Sequence, residues 1–315
     1  MTHLLTVALV LAVVLSGCAP AAAPAPSVPG TAAASPSPTA APFPMTVADD
    51  RGKQVTLATA PRRIVSVAPS ATEIVFALGA EDRLVAVDDF SDFPAAARAL
   101  PKVGGTRTSP ERIIAHRPDL ILAVTQGNLA PGLEAQGQAV IVFDASDIDG
   151  VYRNIELVGR VVGREKAAEE LVARMRARID AVAAKTKGIT AKPRVLHEVD
   201  ATDPARIFVA GPNNFIDSMI TVAGGVNVAA NAQRKFPQLS AEEIVRADPQ
   251  VIVLGDAKYG TSVEQVKARP GWQVIDAVRS GRILPIDPDI VSRPGPRLAD
   301  GVEEYAKLLH PSVFR

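Results

Sequence analysis

Fifteen residues of this chain occur in two versions, SPERIIAHRPDLILA from Ser109 and SAEEIVRADPQVIVL from Ser240. Aligned without a gap, they share Ser109/Ser240, Glu111/Glu242, Ile113/Ile244, Pro118/Pro249 and Ile121/Ile252, each pair 131 positions apart. In each copy a serine placed to cap a helix precedes a short amphipathic turn, a proline that stops it and a hydrophobic strand. Pro110 suits the first helical position. A connector repeated at this separation calls for two similar half-structures, and 315 residues are enough for two cores.

The surrounding segments extend the symmetry. Ile64–Val67 reads as a buried strand, followed by a turn at Pro69 and a helix carrying Ile74, Val75 and Leu78 that Gly79 closes. A strand at Leu84–Val87 leads into DDFSDFP and an Ala-rich helix with Pro94 as its first residue. The first repeat leads into strand Leu120–Val124, and 139–143 is a further strand. Beyond the middle come strand PRVLHEV, a turn at Asp203 and Pro204, strand 206–210, and helix 214–223 closed by Gly224 and Gly225. The second repeat leads into Val251–Leu254, and ILPID from Ile283 gives a last strand. Strands alternating with helices predict the α/β class with parallel sheets covered on both faces.

Between the halves, residues 151–187 lack proline and keep an apolar stripe through Ile155, Val158, Val161, Val162, Leu171, Met175, Ile179 and Val182. They predict a single long α-helix of about 50 Å, a strut between lobes. The expected organisation is therefore an N-terminal lobe at 45–150, a linking helix at 151–187 and a C-terminal lobe at 188–315.

The amino terminus reads as an address. LLTVALVLAVVL at residues 4–15 is too short for a mature membrane span, which needs about twenty residues, but fits the core of an export signal. Only His3 precedes it where Lys or Arg is usual. LSGC, ending at Cys18, resembles a bacterial lipobox, which implies cleavage before Cys18 and a lipid on its thiol. The alternative is an ordinary export signal with an incidental cysteine. Residues 19–44, almost all Ala, Pro, Ser and Thr, are expected to form an extended tether. Cys18 is the only cysteine, which excludes an internal disulfide and a thiolate metal site.

Charge and motifs remove other classes. The chain has 34 basic and 34 acidic residues and no run of Lys or Arg beyond two, so nothing marks it for nucleic acid. His3, His116, His197 and His310 lack metal-ligand spacing, and no G-x-S-x-G, P-loop or G-x-G-x-x-G occurs. An extracytoplasmic enzyme on a tether would need a catalytic constellation, and none is found; no resident cofactor or metal is expected.

Glu111 and Glu242 pose a local question. The capping-box position is the third helical residue, Arg112 in one copy and Glu243 in the other, so both glutamates stand one place earlier. Stabilisation by the helix dipole is one reading, and contact with a partner, one carboxylate from each half, is the other.

The order RIVSVAPSATEIVFALG, DDFSDFP, TSPERIIAHRPDLILA, the long helical segment and FPQLSAEEIVRADPQVIVL resembles the substrate-binding lipoproteins of iron-siderophore, haem and vitamin B12 importers, from about Arg62 to the C-terminus. The resemblance implies two Rossmann-like lobes joined by one long helix, with the ligand between them, and docking of Glu111 and Glu242 to the permease of an ABC importer. It implies an extracytoplasmic monomer held to the membrane by the lipid on Cys18. Vitamin B12 binders match most closely: an aromatic, SD, then aromatic-Pro at Phe90, Ser91, Asp92, Phe93 and Pro94, an aromatic before PQ at Phe236, and an acidic–basic pair at Asp289 and Arg293. Phe90, Phe236, Asp289 and Arg293, together with Ser70 and Gly105, are thereby implied as ligand contacts. The family's tryptophan before the first repeat is absent here, where Gly104, Gly105 and Thr106 stand.

The expected ligand is a corrinoid, most simply cobalamin, with a ferric siderophore or haem as the alternative on the same fold. A tyrosine ligand to haem would have to be Tyr152, Tyr259 or Tyr305, none of which falls in the matched loops. Structural readings compete at each place: Phe90 and Phe236 as core residues under loops, Ser91 or Asp92 as caps of the helix at Pro94. Asp289 and Arg293 have i,i+4 spacing, but Pro288, Pro294 and Pro296 argue against a helix there.

Overall fold

A computed structural model describes residues 43–314, Gln126 excepted; the export segment, Cys18 and nearly all of the tether lie outside the described residues. The body opens with an antiparallel hairpin, β1 (Met45–Ala48) and β2 (Gln54–Leu57), which buries Val47, Val55 and Leu57 on one side.

Four parallel strands build the first sheet: β3 (Ile64–Val67), β4 (Leu84–Val87), β5 (Leu120–Val124) and β6 (Val140–Phe143), in the order β4-β3-β5-β6. Side-chain alternation divides them between two cores. Ile64, Leu120, Leu122, Ile141 and Phe143 face α1 (Pro69–Ala77), while Val65, Val67, Ile121, Ala123 and Val142 pack toward α2 (Pro110–Ile114) and α3 (Leu129–Glu134). Burial on both faces is why these strands read as continuous apolar runs.

The helix expected over 151–187 is two helices, α4 (Ile148–Val161) and α5 (Glu165–Thr186). Gly163 turns the chain between them at φ +62°, a conformation that glycine adopts without strain. Gly159 lets them close: a Cβ there would lie 2.5 Å from Ala168 Cβ. The link between lobes is α5 alone, 22 residues and about 33 Å long. The helix expected from Pro94 is only a tight turn at Ala95–Ala99, because Pro101 holds Leu100 extended and leaves no room for a second turn.

The second sheet joins β7 (Arg194–Asp200), β8 (Arg206–Val209), β9 (Val226–Asn227), β10 (Gln238–Ser240), β11 (Val251–Leu254) and β12 (Ile283–Pro285). β7, β9, β11 and β12 pair in parallel, whereas β8 and β10 form an antiparallel edge in the path β10-β8-β7-β11-β12. Its helices are α6 (Phe215–Val222), α7 (Ala241–Ala247), α8 (Val263–Lys267), α9 (Asp276–Arg279), α10 (Pro288–Val291) and α11 (Leu298–Leu309). One core runs through both lobes, from Ile64 and Val158 by way of Leu171, Met175 and Val182 on α5 to Ile216, Met219 and Tyr305. Among the described residues no helix is long and apolar enough to cross a membrane.

Candidate functional site

Open α/β sheets present their ligand-binding loops at the carboxyl ends of parallel strands. In this fold the loops leaving β5 and β6 meet the second lobe across a cleft of about 310 Å³. Val124, Phe143 and Ala145 form one wall, and Val199, Phe215, Ile216, Phe236 and Pro294 the other. Phe236 is 40% exposed. Lys235 bridges the lobes here, its ammonium 3.0 Å from Asp144 Oδ1.

The loop after β4 carries Phe90 and Phe93, 52% and 44% exposed, so neither is a core residue. Phe90 lies over Gly105, where a Cβ would sit 3.0 Å from the ring. Gly105 therefore supports Phe90, and the ring fills the space a larger residue would need. Ser91 is buried and shares a 2.7 Å hydroxyl contact with Thr72; neither it nor Asp92 caps the turn after Pro94. Ser70 is buried as well, its backbone 3.3 Å from where a Cβ on Gly295 of the second lobe would stand.

Asp289 and Arg293 belong to an ion network that sequence reasoning did not anticipate. A helix forms at Pro288 after all: Asp287 caps α10 by accepting from Asp289 N, and Pro288 occupies the first position, where proline is tolerated. Arg293 pairs with Asp289 at 2.9 Å, and also with Asp92 at 2.7 Å and Glu73 at 3.2 Å on the first lobe. Arg297 donates to both oxygens of Glu73, at 2.9 and 2.6 Å, and stacks 4.1 Å from the centre of the Phe93 ring. Lys258 reaches Asp289 at 2.6 Å.

These contacts set the local protonation. Burial acts to raise the Asp92 carboxyl, but the hydrogen bond and charge of Arg293 together hold it below its ordinary value. Burial likewise opposes the charge on Arg297, and Glu73 outweighs it, leaving the guanidinium more basic than usual. Beneath them Asp88 is pushed up, chiefly by burial. Among the described residues no group of three or more His, Cys, Asp or Glu is arranged to hold a metal ion.

Glu73, Arg297 and Phe208 are the residues that sequence reasoning missed. Glu73 sits amid the buried face of α1, between Thr72 and Ile74, and an acid in such a run signals a buried partner. Phe208 points outward from β8 between the buried Ile207 and Val209, which strand alternation could have revealed.

The repeated helices present their glutamates differently from their caps. Ser240 and Glu243 form a reciprocal capping box, Ser240 Oγ accepting from Glu243 N at 3.3 Å and Glu243 Oε2 from Ser240 N at 2.8 Å. Glu242 is left exposed. The Ser109 side chain does not cap α2; hydrogen bonds from Ser109 and from the glutamate's own backbone hold the Glu111 carboxyl below its ordinary range. Neither Glu111 nor Glu242 makes an ion pair among the described residues, and both side chains lie at the surface, Glu111 held locally by Ser109.

Two lobes sharing a core, with a cleft at the carboxyl ends of their strands, define a solute-binding protein. The chain belongs to the periplasmic binding protein family, whose pattern matches residues 64–290. It is 34% identical over 279 residues to an ABC transporter substrate-binding lipoprotein of Bacillus subtilis, covering 87% of this chain and 88% of that one. It is 32% identical over 317 residues to a cobalamin-binding protein of Halobacterium salinarum, with 97% and 84% covered. Among solved structures it resembles a periplasmic haem-binding protein of a Roseiflexus species, TM-score 0.71 and 30% identity, over 80% of this chain and 99% of that one. The protein is thus the substrate-binding component of an ABC importer and works outside the cytoplasm.

Proposed function

We propose that the ligand is a corrinoid, most simply cobalamin, gripped between the lobes and delivered to a membrane permease that docks on Glu111 and Glu242. The observation that carries this reading is exposed aromatic surface in a chain whose aromatics total 4%: Phe236, 40% exposed, on the wall of the cleft, and Phe90 and Phe93, 52% and 44% exposed, on the loop after β4 of the first lobe. Flat apolar rings suit the face of a macrocycle, and the polar groups of Asp289 and Arg293 suit the amides at its edge. A cleft of about 310 Å³ is at the small end for enclosed ligands, so a corrinoid would be held at one edge with the rest over the rings. The Halobacterium relative is named for cobalamin, which supports the reading.

Haem is the reading suggested by the Roseiflexus structure. Tyr259, the most exposed large apolar residue among the described residues, lines a different groove with Asp200, Thr261 and Arg269, which favours the corrinoid. The lipid on Cys18 would keep the protein at the membrane. Calorimetric titration with cyanocobalamin, haemin and a panel of ferric siderophores tests the proposal. Saturable binding of cyanocobalamin alone is expected; silence toward it ends the corrinoid reading, and saturable haemin binding replaces it with haem.

A further inference from the structure

Phe236 also borders a second space. On its other side lies a groove of about 470 Å³ lined by Arg206, Phe208, Gln233, Arg234 and Gln238. The β8–β10 pairing fixes it: Phe208 lies opposite Gln238 and Arg206 opposite Ser240, four residues beyond Phe236. Charge distinguishes this groove from the cleft. On the cleft side Lys235 is paired with Asp144, Arg293 with three carboxylates and Arg297 with Glu73. In the groove the Arg206 and Arg234 side chains are exposed and make no ion pair or hydrogen bond among the described residues. Glu243 also lines the groove and stays ionised, its carboxylate accepting from the Ser240 N–H, so the two arginines outweigh one carboxylate there. An anionic group approaching Phe236 therefore finds net positive charge in the groove and a balanced pair in the cleft.

We infer that the groove holds an anionic appendage of the ligand, a phosphodiester, while the macrocycle lies on the cleft side of Phe236. Guanidinium forks match phosphate oxygens in pairs, and the outward ring of Phe208 gives an attached heterocycle a surface to stack on. This rests on the corrinoid reading, in which the phosphodiester belongs to the nucleotide tail.

The test is titration of the full chain and of Arg206→Gln/Arg234→Gln with cyanocobalamin and with dicyanocobinamide, which keeps the ring and lacks the nucleotide. Wild type is expected to bind cyanocobalamin at least about tenfold more tightly, the effect of one charge-assisted contact, and the double variant to lose that preference through cyanocobalamin alone. Unchanged cobinamide affinity reports that the variant is folded. A preference that survives the double substitution, or equal losses for both ligands, overturns the groove assignment and leaves the corrinoid reading standing. Failure of wild type to bind either ligand overturns both.

Discussion

Replacing Glu73 by glutamine tests the ion network that joins the lobes. The Glu73 side chain is 2% exposed, and its two oxygens receive three donors from Arg293 and Arg297 of the other lobe. Arg293 keeps Asp92 and Asp289 when Glu73 loses its charge, but Arg297, 16% exposed, has no other carboxylate within the network. Removing one partner of a buried pair costs about 3–5 kcal/mol. Glutamine preserves the shape and one acceptor, and Arg297 retains the Phe93 face, so the expected loss is about 2–4 kcal/mol. For a body of this size that is roughly 4–7 °C in unfolding midpoint.

Urea unfolding followed by circular dichroism should show a lower midpoint and an unchanged slope. The companion variant Glu73→Leu/Arg297→Met removes both charges at similar volume and should recover most of the loss, since an apolar replacement avoids the desolvation of both ions. A Glu73→Gln stability within about 0.5 kcal/mol of wild type would refute the claim that this carboxylate neutralises a buried cation.

Phe236→Ala should weaken ligand binding by about 10- to 100-fold through lost apolar contact while leaving the urea midpoint nearly unchanged, because the ring is 40% exposed; a loss under threefold removes Phe236 from the site. Glu111→Lys with Glu242→Lys should abolish uptake in whole cells and preserve ligand affinity in vitro, and an equal fall in binding would show the interface is misplaced. Asp92 titrates below its ordinary value of 3.8, so its stabilising contribution is complete above that value and disappears as pH falls through the lower folded value. The Asp92–Arg293 contribution should thus be complete at about pH 5 and decline progressively as pH falls below 3.8, seen as falling urea midpoints; rising stability toward about pH 3 would contradict this assignment. Small-angle scattering should give nearly the same radius of gyration with and without ligand, and a contraction of several ångströms would count against stiff lobes.

Strands were the most legible part of the chain: β3, β4, β5 and β11 coincide with the four- or five-residue apolar runs that suggest them. Each is buried at nearly every position and bounded by proline, glycine or charge. The break at Gly163 was hidden because α4 and α5 turn their stripes to the same core, so the apolar period continues across it. Phe90 and Phe236 could be located in loops from the sequence because aromatics are few. Glu73 could not be paired, since Arg293 and Arg297 lie 220 and 224 residues away and no local period connects them.

Two inter-lobe ion contacts differ in how easily they yield, and that difference bears on how a ligand enters. Lys235 and Asp144, 33% and 43% exposed, form a pair of the kind that contributes at most about 1 kcal/mol in water. Glu73 and its arginines are buried, and the shared core through α5 lies behind them. A ligand can displace the Lys235–Asp144 contact at little cost, whereas parting the lobes at Glu73 would leave charge unpaired in a desolvated place. Side-chain rearrangement at Phe236 and Lys235 is therefore a cheaper route into the cleft than rotation of one lobe against the other. A single linking helix and a continuous core favour the same route, since both resist the hinge that a wide opening needs.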